Sequence, residues 1–168
     1  MSFLAFCQVD DIKGESKDSA HPDWIEVLSY SQEITHKAGA NTSATTALIN
    51  GRADIGEFKI TKRLDKSSPY LHQNCASAKP LATVVVHVAM TNNSTAVLMK
   101  YTMTNAVVFS ICPDGDTNDE AHLRPVETVK FRFSHIAWEY QQIGLDGSNV
   151  GGPITTQWNA STNAVAAP

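Results

Sequence analysis

The sequence predicts a mainly β fold: a small antiparallel β-barrel with one short flanking α-helix and a long extended loop. Three observations support this prediction. Long segments alternate apolar and polar residues with a period of two. One segment carries both helix-start and helix-stop signals, and all seven prolines lie outside the interiors of the predicted strands. The length of 168 residues, with 42% hydrophobic and 18% charged residues, suits a single globular domain over 1–168.

The first well-patterned strand lies within residues 24–34, which read WIEVLSYSQEI and include two aromatic residues. Residues 35–54 follow it with mostly small and polar side chains and no aromatic residue. A stretch of this length without regular patterning is uncommon inside a compact domain unless it serves a function. We therefore predict an extended loop at 35–54.

The predicted helix lies in the stretch SSPYLHQNCASAKP. Ser68 is expected to cap its first amide groups, and Pro69 suits the first helical position. Leu71 and Cys75 are four residues apart and are expected to face inward. Pro80 prevents the helix from continuing.

Residues 82–90, ATVVVHVAM, are apolar on both strand faces. This pattern predicts a strand covered by the core on one side and by a helix or a neighbouring subunit on the other. The turn at 91–95 is expected to join it, as a hairpin, to an alternating segment whose odd positions from Val97 to Ile111 are mostly apolar. That segment predicts one long bent strand, or two strands that meet near Asn105.

The segment VETVKFRFSHIAWEYQQI alternates as well, but its apolar positions change from odd to even after Ser134. A β-bulge or sharp bend near Ser134–His135 would return both halves to one buried face. Trp138 of this segment, with Trp24 and Tyr30, is expected in the barrel core or at a subunit interface. Residues 144–168 are rich in Gly, Ala and Asn and are interpreted as a C-terminal tail.

Charge and targeting signals exclude several partners. The net charge is −4, from 13 Lys plus Arg against 17 Asp plus Glu, and no basic stripe supports nucleic-acid binding. The N-terminal apolar run has no preceding basic residue, so no secretory signal is expected. No apolar run approaches the ~20 residues of a membrane span, so membrane insertion is not expected. The three cysteines form no CxxC pair and are interpreted as reduced thiols.

No motif predicts chemistry. The acidic turn at 114–120 lacks the EF-hand Gly and Glu, since Asp119 and Pro125 occupy those positions. The six histidines form no HxH or HExxH pair, and His87 is interpreted as a hydrogen-bonded core or interface residue. We therefore predict no catalytic, metal or cofactor-binding residue, no cofactor, and no enzyme. A hydrolase that uses loop residues such as His21, which could stand near Asp23 and Ser19, remains open with His72 and Asp65 as its other candidates.

Three blocks in order resemble the haemolysin-coregulated protein (Hcp) family. The first resembles the family's I-x-G-E-S and W-I-E-V-x-S-x-S pattern, the second its F-x-K-x-x-D-x-x-S-P-x-L pattern, and the third its P-x-E-x-V and I-x-W-x-Y pattern. One departure is Ala78–Lys79, where the family usually has Gly and a basic residue. The matching residues are Ile12, Gly14, Glu15, Ser16, Trp24, Ile25, Glu26, Val27, Ser29 and Ser31; Lys62, Asp65, Ser68, Pro69, Leu71 and Ala76; and Pro125, Glu127, Val129, Ile136, Trp138 and Tyr140.

The resemblance implies a tube component of the bacterial type VI secretion system. It implies hexameric rings of one chain that stack into a tube, carry effectors in the lumen, and work with spike and sheath components. It also implies synthesis in the bacterial cytoplasm without a signal peptide and secretion outside the cell or into a target cell.

In the family, an extended loop at the position of residues 35–54 reaches from one subunit toward the adjacent ring. The assembly-loop residues implied here are Ala38, Gly39, Ala40, Asn41, Ser43, Ala44 and Arg52. An alternative from the barrel shape alone is a monomeric β-barrel that binds a small apolar ligand.

Overall fold

The structure, a computed structural model, describes residues 3–37, 51–92, 94–117 and 124–166. These residues are mainly β, as the sequence predicts, and form eleven strands and one helix. The strands are β1 (Phe3–Val9), β2 (Ile25–Val27), β3 (Ser29–Ser31), β4 (Ile34–Lys37), β5 (Arg52–Ile55), β6 (Phe58–Arg63), β7 (Leu81–Asn92), β8 (Ser94–Asp114), β9 (Val126–Ile143), β10 (Asn149–Asn159) and β11 (Ala164–Val165), and the helix is α1 (Ser68–Ser77).

The main sheet is antiparallel and folds round toward a barrel. Its strand order is β11-β10-β9-β8-β7-β1-β2, and β6 pairs with both β9 and β3. Leu28 alone separates β2 from β3, and its N–H donates to the carbonyl oxygen of Thr61 on β6 at 2.7 Å. The two ends of the sheet therefore meet at this bend. Among the described strands no ladder joins β2 to β6, so the barrel is not closed by continuous pairing.

Apolar side chains fill the space inside the folded sheet. They come from every strand of the barrel and from Leu71 on α1, which covers one end. Dense packing of this kind is typical of a protein core. The side chains that are less than 2% exposed include Ile25, Phe58, Ile60, Leu71, Val84, Val86, Met103, Phe131 and Ile136.

The helix begins and ends close to the predicted positions, but the predicted cap is wrong. Ser67 is the N-cap residue, without a side-chain cap, whereas the Ser68 hydroxyl bonds to Lys62 and Glu127. Leu71 is buried and Cys75 packs partly buried against the core, as predicted. At the C-terminal end Ala78 adopts a left-handed conformation with φ of 49°.

The segment predicted as one bent strand or two is a single strand, β8. Asn105 in its middle has a φ of +50°, opposite Ser134 of β9. The pairs on either side, Thr104 with His135 and Ala106 with Phe133, keep one register. The buried face nevertheless changes here on both strands. Both strands are therefore distorted at Asn105 and Ser134, and β9 has no β-bulge there.

The β-bulge of this strand pair lies at Phe109, because the register shifts between Val108 and Ser110. After Asn105 the even-numbered Ala106 and Val108 face the core. The apolar odd positions therefore do not all share the buried face: Val107 and Phe109 lie on the other face, and Phe109 is 45% exposed.

The predicted loop and tail both contain strands. Residues 34–37 and 52–55 pair as a separate two-stranded sheet, with Lys37 opposite Arg52. Residues 38–50 lie outside the described residues. Eleven residues of the predicted tail form β10, which pairs with β9 and contains Pro153. Pro153 is thus an exception to the proline prediction, tolerated because β11 pairs with only the last two residues of β10.

Candidate functional site

The motif residues of β6 and β9 form a buried ion pair. Lys62 and Glu127 are cross-strand partners, and both are fully buried. The Lys62 Nζ lies 2.6 Å from the Glu127 Oε1 and 2.9 Å from the Asp65 Oδ1. Removing charges from water is costly unless they are paired and hydrogen-bonded. The two carboxylates therefore offset the cost of burying the Lys62 ammonium group.

Ser68 completes this buried polar cluster. Its hydroxyl donates to the Glu127 Oε1 at 2.6 Å and accepts from the Lys62 Nζ and from the Asp65 N–H, each at 3.1 Å. These three bonds use its single hydrogen and both lone pairs. Ser68 is only 7% exposed, and its hydroxyl is fully engaged in these three bonds. The cluster fixes the start of α1 to β6 and β9.

The hydrolase candidates do not all lie at one site. His72 lies on α1, where its Nδ1 is 2.8 Å from the Ser68 carbonyl oxygen and 3.8 Å from the Glu127 Oε2. Asp65 belongs to the buried cluster, and His21 lies on a different surface, bonded to Asp18 rather than placed beside Asp23. Their geometry offers no shared reacting position.

A second polar cluster lies on the outer face of β1 and β7. His21 is 1% exposed and stacks on Phe6, with ring centroids 4.4 Å apart. Its Nδ1 is 2.8 Å from the Asp18 Oδ1, and its Nε2 is 2.9 Å from the His87 Nδ1. Trp24 packs against His21 and against His87. His87 is therefore hydrogen-bonded, as predicted.

Residues 10–24, here called the covering loop, pack over the outer face of β7 around His87. The prediction of a helix or a neighbouring subunit there is wrong for the stretch around His87. Gly14 is needed in the loop because a Cβ would come 2.3 Å from the Trp24 carbonyl oxygen. Glu15 accepts from the Lys66 N–H and from the Arg124 side chain, each at 3.1 Å. The covering loop thereby links β7, the segment at Lys66 and the segment at Arg124.

The third feature is a part of the sheet that extends beyond the filled barrel. It comprises the paired stretches of β8, β9 and β10 around Met99, Tyr140 and Ile154, and is called the wing. One row of cross-strand partners runs Val27, Ala5, Val88, Met99, Tyr140 and Ile154. Partners in a row share a sheet face. The core face therefore continues onto the wing, where Tyr140 is 43% and Ile154 is 68% exposed.

The other face of the wing is polar. Lys100, Glu139 and Thr155 follow one another across it, with the Lys100 Nζ 4.0 Å from the Glu139 Oε2. The Gln141 Nε2 donates to carbonyl oxygens of Gln142, Val150 and Gly151, which ties β9 to the irregular start of β10. The wing is thus an ordered amphipathic surface.

Most of the implied assembly-loop residues, Ala38, Gly39, Ala40, Asn41, Ser43 and Ala44, lie outside the described residues. Arg52 lies at the start of β5 and is exposed. Nearby, the Lys37 Nζ is 2.9 Å from the Asp54 Oδ2, and this contact lowers the pKa of Asp54. All four residues of β4 are exposed, so the base of the loop stands apart from the core.

Neither a metal-ion cluster nor a membrane-spanning helix is found among the described ranges. No group of three or more His, Cys, Asp or Glu side chains is placed there to hold a metal ion. No helix within those ranges is long and apolar enough to cross a bilayer.

The fold and its clusters define a small β protein whose motif residues hold the structure together. Residues 6–140 match the family described as "Type VI secretion system effector, Hcp". The chain belongs to this Hcp family. Its members are structural proteins of type VI secretion and are not known as enzymes.

Individual relatives agree with this assignment. The chain is 29% identical over 168 residues to protein hcp1 of Pseudomonas aeruginosa, covering 99% of this chain and 100% of that protein. A solved type six secretion system protein has a TM-score of 0.88 at 26% identity, covering 98% of this chain and all of the other. Hcp1 from Salmonella typhimurium has a TM-score of 0.77 at 27% identity, covering 99% of this chain and all of the other.

Sequence reasoning missed the wing and the histidine cluster. Ile154 and Trp158 lie on one side of a strand, with Thr155 and Gln157 on the other, and this pattern is a strand signal. Gly151, Gly152 and Pro153 before it obscure the signal. The contact of His21 with His87 spans 66 residues, so local spacing gives no sign of it.

Proposed function

We propose that this chain is a tube-forming subunit of a type VI secretion system. Copies join side by side into a hexameric ring, and the rings stack into a tube whose lumen carries effectors. The observation that supports this most directly is the wing, because its apolar face continues the barrel core but has no covering layer within the described chain.

An exposed apolar sheet face is a surface that favours association. Tyr140 and Ile154 are cross-strand partners, so together they form one exposed apolar surface rather than two isolated exposed residues. A second copy that packs on this face would remove both from water. The receiving surface is a different part of the same chain, so the contact is head-to-tail and closes into a ring when its rotation fits a whole number of copies.

Stacking is assigned to the loop at 35–54. Its base is a two-stranded sheet of its own, and the residues of β4 are exposed. The small residues Ala38, Gly39, Ala40, Ser43 and Ala44 lose little side-chain entropy when they become ordered against a neighbour. Arg52 and the pair of Lys37 with Asp54 add polar groups that make a reversible contact reasonable.

The remaining partners follow from the family. The tube is proposed to meet spike and sheath components and to leave the bacterial cytoplasm through the secretion apparatus itself. The alternative of a monomeric ligand-binding barrel gains no support, because side chains such as Phe58, Met103 and Phe131 fill the interior.

The ring proposal is tested by light scattering coupled to size-exclusion chromatography. The double variant Tyr140→Ser, Ile154→Ser is expected to shift the mass from about six chains to one, while its melting temperature stays close to that of a wild-type subunit. The matched control is Glu139→Ser, Thr155→Ser, which changes the adjacent pair on the opposite face and is expected to leave the ring intact. A wild-type chain that stays monomeric at high concentration contradicts the proposal.

The stacking proposal needs a loop variant that keeps its base. Replacing residues 38–50 by one Asn leaves Asn-Gly51 between the paired Lys37 and Arg52, a sequence suited to a two-residue hairpin turn. Electron microscopy is expected to show single rings without stacks, and thermal melting to show an intact subunit. Loss of the fold would place the loop in the core.

A further inference from the structure

The contacts of His21 define which nitrogens carry protons at neutral pH. The Asp18 carboxylate accepts hydrogen bonds, so the His21 Nδ1 must donate to it across 2.8 Å. The Nε2 of a neutral His21 is then an acceptor, and the His87 Nδ1 must donate to it across 2.9 Å. A single directed chain of hydrogen bonds therefore runs from His87 through His21 to Asp18.

This chain tolerates one added proton but not two. With one added proton, one ring is an imidazolium that donates to the facing nitrogen of the other ring, and the neutral ring carries its hydrogen on its other nitrogen. With two protons, both facing nitrogens carry hydrogen and the bond between the rings is lost. The two histidines then carry like charges and repel each other.

We propose that Asp18, His21 and His87 form an acid-sensitive clasp that holds the covering loop on the outer face of β1 and β7. This inference goes beyond the secretion role and does not depend on ring formation. Phe6 stacks on His21 and Trp24 packs against both histidines, so opening the clasp would also expose apolar rings.

The groups around the clasp, taken together, disfavour a positive charge on His87. Phe6 on β1 and Trp24 in the loop bring no charge, and Lys100 on β8 is the cross-strand partner of His87. Burial, followed by the charges of His21 and Lys100, lowers the pKa of His87 to about 4. Glu139 lies 4.0 Å from Lys100 and offsets part of its charge. A second positive charge is therefore disfavoured while the loop is closed.

Opening would have effects beyond the loop. Glu15 in the covering loop accepts hydrogen bonds from Lys66, which precedes α1, and from Arg124, which precedes β9. Asp23 in the same loop contacts the ammonium groups of Lys13 and Lys66 at 3.4 Å. Release of residues 10–24 would loosen these links while the buried Lys62–Glu127 pair remains in place.

The sign of the pH effect follows from linkage. His87 binds its proton more weakly in the closed state than in the open state, so the closed state loses stability as the pH falls from about 6.5 toward about 4. His87 is only half-buried, and water screens part of the effect. We expect the opening equilibrium of the loop to rise roughly ten-fold between pH 6.5 and pH 4.5.

Hydrogen exchange of the full chain measures this opening. Protection factors of amides in residues 13–24, referred to an unstructured peptide at each pH, are expected to fall about ten-fold, while those of β8 and β9 stay level. His87→Gln keeps a donor but does not titrate, so its loop protection should lose the pH dependence. The control is His135→Gln. His135 is bonded to Ser134 and not to the clasp, so this variant should behave as wild type.

Two results would overturn the clasp. One is equal pH dependence of loop protection in the wild type and in His87→Gln. The other concerns the wild type alone and needs no variant to fold: imidazole ¹⁵N shifts at pH 7 that show the His87 Nδ1 without its hydrogen.

Discussion

The two ends of one row in the sheet differ sharply. At the barrel end, Val27, Ala5 and Val88 are at most 9% exposed, whereas at the wing end Tyr140 and Ile154 are 43% and 68% exposed. The outer face shows the same contrast. The covering loop packs on Phe6 and His87 at one end, whereas at the other end Lys100 and Glu139 are more than a third exposed and Thr155 is exposed.

Both ends belong to the same sheet and follow the same alternation, so the difference lies in what faces them. Apolar patterning predicts that a strand face will be covered, but it does not state which chain provides the cover. At the barrel end the chain covers itself. At the wing end we assign the cover to a second copy. Changes at the barrel end should therefore affect the subunit, and changes on the wing should affect the assembly.

The largest effect is expected at the buried ion pair of the barrel end. Glu127→Ala leaves Lys62 buried with only Asp65 as a carboxylate partner and should lower the free energy of unfolding by about 3–5 kcal/mol. Denaturant titration of the monomeric wing variant measures this without assembly. The double variant Lys62→Met, Glu127→Leu is the control and should lose less than the single change. A larger loss in the double variant would show that the charges themselves stabilise the fold.

The next effect concerns Trp138, which lies where the barrel passes into the wing. It is half-buried and packs against the core, so Trp138→Ala should cost about 2–4 kcal/mol, less than for a fully buried aromatic residue. Thermal melting in the same monomeric background tests this. An unchanged melting temperature would move Trp138 from the core to the interface.

A smaller effect, of opposite sign, is expected at the end of the helix. Ala78 has a φ of 49°, a conformation that glycine adopts without strain, so Ala78→Gly should stabilise the subunit by about 0.5–1 kcal/mol. Ala76→Gly, in the exposed last turn, is the matched control and should destabilise by about the same amount. Equal signs for the two changes would contradict this explanation.

The smallest effect is expected on the polar face of the wing. Lys100 and Glu139 are each more than a third exposed and 4.0 Å apart, so Lys100→Gln should change the subunit stability by less than about 0.5 kcal/mol. The ring should remain. A clear loss of mass in light scattering would show that this polar face, rather than the apolar one, joins the copies.

The sequence predicts those parts of the fold that depend on local patterning. The β7–β8 hairpin, the helix with its inward Leu71, and the change of face near Ser134 all follow from alternation or from turn and helix signals. The failures have non-local causes. Ser68 looks like a cap, but its hydroxyl is used by Lys62 and by Glu127, which is 59 residues away. The bulge at Phe109 and the cover over His87 likewise depend on partners that local spacing does not reveal.

The continuity of β8 and β9 has a mechanical consequence. Each strand passes from the barrel into the wing without interruption, so a load applied to the wing enters the barrel along covalent backbone. A pull along these strands would stress many ladder hydrogen bonds in parallel instead of opening them one after another. A joint built on the wing would thus resist shear along the strands better than peeling at the β10 edge.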